Sequence, residues 1–88
     1  MKIEREITLE QCQKLILNPN FEEVGYYPGN LLDNYLLYDW DSHTYIIIKE
    51  KYVNCWTSTL IATKTNNEKL VDDFLKTQDE VLDEIDAE

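Results

Sequence analysis

A chain of 88 residues with 43% apolar side chains supports one modest core, so residues 1–88 are read as a single α+β domain rather than a disordered chain. A net charge of −10 argues against direct binding to nucleic acid or anionic lipid, both of which repel it. No segment approaches the roughly 20 apolar residues of a membrane span.

The opening stretch Met1-Lys2-Ile3-Glu4-Arg5-Glu6 lacks an apolar signal core. Cys12 and Cys55 lack metal or redox spacing. Both are expected reduced, in a protein of the bacterial cytoplasm. A first helix is predicted from Thr8, with Gln11 as the reciprocal partner in a capping box. Ile7 and Cys12 fit the hydrophobic staple around that cap. Leu9, Cys12 and Ile16 then share a face, and Asn18-Pro19 ends the helix. Phe21 to Tyr27 is ambiguous and compatible with a short edge strand. Pro28-Gly29 marks a turn.

The centre reads as sheet. Tyr35 to Trp40 is strand-like, and Asp41-Ser42-His43 is a polar break suited to a hairpin loop. Tyr45 to Lys49 holds three consecutive isoleucines. Glu50-Lys51 is the expected next turn, although neither residue favours a positive φ, and Tyr52 to Thr63 is the expected third strand. Connections this short require antiparallel pairing. The expected fold is therefore a three-stranded antiparallel β-meander with an N-terminal and a C-terminal helix on one face, in the order α-β-β-β-α.

The second helix is predicted over about residues 66–86. Leu70, Val71, Phe74, Leu75, Val81, Leu82 and Ile85 fall on one side at 100° per residue, and every acid but Glu88 on the other. Thr65 with Glu68 fits a capping box, with Asn66 and Asn67 as rival caps. Residues 68–88 carry nine acids and two lysines, which is −7 of the total −10. Like charges recur one turn apart at Asp79 and Asp83, and at Glu80 and Glu84. Each such pair costs about 0.2–0.5 kcal/mol in an isolated helix. Acids in the last turn also oppose the helix dipole.

Catalytic chemistry is nearly absent from the sequence, and the protein is read as non-enzymatic, without cofactor or metal. His43 is the one histidine and falls in a predicted turn. Asp39, Asp41 and His43 alternate, and would share one side of a strand as metal ligands. The same stretch resembles the start of a calcium loop, but Thr44 stands where glycine is required. A polar hairpin tip is the preferred account of these residues. Cys12 on a buried helix face is packing rather than a nucleophile.

The aromatics provide a secondary candidate interface. Tyr38 and Trp40 share a strand face, Tyr45 follows in the next strand, and both faces of the sheet are substantially apolar. Tyr and Trp dominate interface hot spots, so a homodimer or a partner groove is the alternative use of this sheet.

The acid stripe Asp72, Asp73, Asp79, Glu80, Asp83, Glu84, Asp86 is the primary candidate for partner binding. Nine acids along about 31 Å of helix give one per ~3.5 Å, close to the ~3.4 Å between phosphates of one DNA strand. A short, strongly acidic chain with such a stripe resembles the small anti-defence proteins of phages and mobile elements, the anti-CRISPR inhibitors and other DNA mimics. The resemblance implies an inhibitor or regulator that occupies a basic site on a nucleic-acid-binding protein. Salt-sensitive binding is then expected.

Overall fold

The computed structural model describes residues 3–86, with side chains through residue 85. Its elements run β1 (Ile3–Ile7), α1 (Leu9–Leu17), β2 (Phe21–Pro28), β3 (Asp33–Asp39), β4 (Thr44–Asn54), β5 (Thr57–Thr65) and α2 (Glu68–Asp86). The strands form one antiparallel five-stranded sheet in the order β1-β5-β4-β3-β2.

This corrects the three-stranded meander. Phe21 to Pro28 is a full strand at one edge of the sheet, and Ile3 to Ile7 forms the other edge against β5. Chain order β2-β3-β4-β5 is a meander, and α1 carries the chain across the sheet from β1 to β2.

The helices also lie on opposite faces, not on one. Neighbouring residues of a strand point to opposite sides, and here both sides are apolar. Leu37, Ile46, Ile48 and Leu60 join Ile7 and Cys12 beneath α1, where Leu15 and Ile16 pack. Leu36, Ile47 and Tyr27 join Val71 and Phe74 beneath α2, where Leu70, Leu75 and Val81 pack. The run Ile46-Ile47-Ile48 is buried on both sides. One helix on each face removes two apolar surfaces from water, where two helices on one face would leave the other wet.

The caps are local. Thr8 Oγ1 accepts from the Gln11 amide at 3.1 Å, and Gln11 Oε1 accepts from the Thr8 amide at 2.9 Å, which closes the expected box. Ile7 and Cys12 are buried together beside it. For α2 the cap is Asn67, whose Oδ1 accepts from the Lys69 amide at 3.0 Å. Thr65 instead bonds the Asn67 amide at 3.0 Å, so the Thr65–Glu68 box does not form.

The β4–β5 turn falls later than expected. β4 runs through Glu50 and Lys51 to Asn54, and the chain reverses at Cys55-Trp56. Asn54 Oδ1 accepts from the Trp56 amide at 2.9 Å, an Asx turn that neither Glu50 nor Lys51 could supply. β1 ends against Leu60 and β3 against Ile48. Residues 51–59 therefore project as a two-stranded ribbon with no strand on either side among the described residues.

Candidate interaction surfaces

The sheet face under α2 is shaped to bring that helix close. At Gly25 an added Cβ would lie 2.9 Å from Phe74 Cε1 and 3.1 Å from Leu36 Cβ, so only glycine leaves room for the phenyl ring. Phe74 stacks on Tyr27 with ring centroids 4.9 Å apart. One turn on, Gln78 Oε1 accepts from the backbone amide of Tyr26 on edge strand β2 at 2.6 Å. These contacts orient α2 with its acids outward.

Asp72, Asp73, Asp79, Glu80, Asp83 and Glu84 are all exposed. Among the described residues, the ion pairs are Lys14 with Glu10 and Lys64 with Asp39, and none involves these six carboxylates. Asp73 also lines a groove of about 240 Å³ with Glu4, Lys49 and Thr63, on the part of the sheet that α2 leaves uncovered. The side chain of Asp86 lies outside the described residues. The stripe is not uniform along its length. Residues 68–77 carry Glu68, Asp72 and Asp73 against Lys69 and Lys76, whereas 79–86 carry Asp79, Glu80, Asp83, Glu84 and Asp86 with no base. The like-charged end also bares apolar surface, because Ile85 is exposed.

Tyr38, Trp40 and Tyr45 form one cluster on the same sheet face as α2. Tyr38 meets Trp40 edge-on at 4.9 Å and Tyr45 at 5.0 Å between ring centroids. Tyr45 packs against the core beneath α2, while Trp40 is 55% exposed. His43 stands in the left-handed region at φ 55°, a turn position, and its Nδ1 lies 3.2 Å from the Tyr38 hydroxyl.

Asp39, Asp41 and His43 are not assembled as ligands. The buried Asp39 carboxylate accepts from the Asp41 amide at 2.9 Å and the Ser42 hydroxyl at 2.7 Å, with Lys64 Nζ at 3.5 Å. The Ser42 hydrogen bond leads the causes that hold its carboxyl below the ordinary value. Its work is to close the β3–β4 turn. No cluster of three or more His, Cys, Asp or Glu side chains among the described residues is disposed to hold a metal. Cys12 is buried, and burial pushes its thiol up, away from the thiolate that reactivity needs. Cys55 is exposed in the β4–β5 turn.

Two features escaped sequence reasoning. Glu50 is a structural carboxylate rather than a turn residue. Its oxygens accept from three successive amides, Asn30 at 2.6 Å, Leu31 at 2.7 Å and Leu32 at 3.0 Å, which pins the β2–β3 loop to β4. The signal available was a glutamate within a strand opposite a turn rich in unsatisfied amides, and it appears only once the strands are paired. The second feature is the ribbon tip, which exposes Tyr52, Val53 and Trp56, the last at 86%.

No family model matches the chain, and no curated protein or solved structure matches it. None of the helices in the described residues is long and apolar enough to cross a membrane.

Proposed function

We propose that this is a non-enzymatic binding protein whose α2 carboxylates engage a basic surface on a nucleic-acid-binding protein, in competition with DNA or RNA. The observation that carries this reading is the state of the six acids. They are exposed, outside any ion pair among the described residues, and held on a helix anchored through Val71, Phe74 and Gln78. Carboxylates left without counter-charges cost stability in isolation. A cationic partner would offset that cost and be steered in by the same field. An inhibitor of the anti-defence kind is the specific form that the resemblance implies.

The test is a pull-down from bacterial lysate at low and high salt, with duplex DNA as competitor. Wild type should retain a basic protein at low salt and release it to salt or DNA. The quadruple variant D79K/E80K/D83K/E84K should retain none. If that variant captures the same protein as well as wild type, the reading is wrong.

A second reading is apolar association through the exposed aromatics, as a partner module or homodimer. The exposure of Tyr52, Val53 and Trp56 on a nearly uncharged ribbon favours it. Light scattering at two protein concentrations separates a salt-tolerant dimer from a monomer.

A further inference from the structure

We infer that Trp40, packed edge-on against Tyr38, with Glu22 across the strand from Tyr38 and Asp41 next in the chain, is a platform for an arginine side chain of the partner. This rests on the reading above that the partner is basic, and adds the chemistry by which it would be recognised. The argument begins with what Trp40 does not do. The core beneath α2 is closed by Tyr45, Leu36 and Ile47 without it, and its indole is more than half exposed. Tyr38 and Tyr45 are half-buried and pack edge-on, so the indole rests on a rigid base rather than swinging free. The Tyr38 hydroxyl is tied to the His43 ring, which fixes that base further.

The surroundings are anionic. Glu22 on β2 is the cross-strand partner of Tyr38, so its side chain rises on the same face beside the ring. Asp41 follows Trp40 at the turn. Both carboxylates are exposed, and neither joins an ion pair among the described residues. α2 lies on that face as well.

An indole face attracts cations through its quadrupole, and adjacent carboxylates reinforce the attraction. Guanidinium suits such a site better than ammonium, since it is planar, stacks on rings, is weakly hydrated and takes a carboxylate in a fork. A nucleobase could stack too, but its phosphates would meet a chain of charge −10. The charge around Trp40 therefore selects a cationic occupant.

The experiment uses the full chain with W56F, so that Trp40 is the only indole. Octa-arginine and octa-lysine are titrated at low salt, following Trp40 fluorescence and, independently, the anisotropy of labelled peptide. Octa-arginine should bind about three- to fivefold more tightly, the worth of an exposed cation–π contact, and should quench Trp40. W40A should reduce the arginine preference to what carboxylate contacts alone give, while still binding both peptides. E22Q, which leaves the indole in place, should lower the arginine preference by about half and serves as the check if W40A is poorly folded by circular dichroism. Equal affinity of wild type for the two peptides, or an arginine preference undiminished in W40A or in E22Q, overturns the inference. Reversal of Asp79, Glu80, Asp83 and Glu84 to lysine should weaken both peptides and leave their ratio. If that reversal weakens neither while the ratio persists, the α2 reading fails and the platform stands.

Discussion

Gln78 on α2 and Tyr26 on β2 are joined by a 2.6 Å hydrogen bond from the Tyr26 backbone amide to the Gln78 side-chain oxygen. The bond satisfies a donor on an edge strand and fixes the helix where its charge changes. The segment before Gln78 is nearly balanced, and the segment after it carries only acids. Replacing Gln78 by Ala should therefore do two things. It should lower stability by about 1 kcal/mol, the usual net worth of such a bond. In a domain of this size that is roughly 4–8 °C in Tm. It should also speed hydrogen exchange at the Tyr26 amide. Unchanged exchange there would show that the bond does not hold the edge.

The acids past Gln78 are placed against the stability of their own helix. Asp79 faces Asp83 and Glu80 faces Glu84 one turn on, and the last turn of α2 has no basic residue. Glu84→Lys removes a repulsion and complements the dipole, each worth a few tenths of a kcal/mol. The variant should melt higher than wild type at low salt, and the gap should close as salt rises. The same substitution should weaken capture of a basic partner. A variant both less stable and fully binding would contradict the role given to this surface.

Glu50 makes stability depend on pH in a definite direction. Partial burial pushes its carboxyl up, but hydrogen bonds to the carboxylate, including those from the Leu31, Asn30 and Leu32 amides, win and hold it below its ordinary 4.5. A folded-state value below the unfolded one means that the stabilisation is complete above pH 4.5 and is lost as pH falls through the folded value. Glu50→Gln should thus cost about 1 kcal/mol at neutral pH, below the ~1.5–3 kcal/mol of buried charge-assisted bonds because the group is only partly buried. The difference from wild type should shrink below pH 4.5 in paired melting curves. A constant difference would mean that the neutral side chain alone supports the loop.

The parts legible in sequence were those decided by neighbours in the chain. The Thr8–Gln11 box and the amphipathic stripe of α2 depend on spacings of three and four residues, and both formed. The apolar character of both sheet faces was visible in Ile46-Ile47-Ile48. Its consequence, one helix on each face, depended on having two edge strands to widen the sheet. Those strands were hidden for physical reasons. β1 reads Ile-Glu-Arg-Glu-Ile, and it becomes a strand only by pairing with β5. In β2 a register shift between Glu23 and Gly25 breaks the two-residue alternation that would have announced it. The ribbon turn was misplaced because Asn54 acts through a side-chain bond across Cys55, not through a favourable pair of turn residues. For the candidate surface, the exposure of the acids followed from the stripe. The meeting of Glu22 with Tyr38 did not, since they lie on different strands and meet only through the register.

The two-sided core makes the sharpest stability test. Ile47 and Ile48 are adjacent in sequence but belong to different cores, Ile47 with Val71 and Phe74 beneath α2, and Ile48 with Cys12 and Leu60 beneath α1. A sheet covered on one face would show one costly and one tolerated substitution. Here Ile47→Ala and Ile48→Ala should each cost about 2–5 kcal/mol by chemical denaturation, because each empties a packed site. Coupling between each isoleucine and the helix over it should follow the same division. Ile47→Ala combined with Val71→Ala should be non-additive, since those side chains belong to one packed cluster. Ile48→Ala combined with Val71→Ala should add, since the sheet stands between them. If Ile48 couples to Val71 as strongly as Ile47 does, the two helices cannot lie on opposite faces, and the exposure of the α2 acids would have to be derived from a different packing.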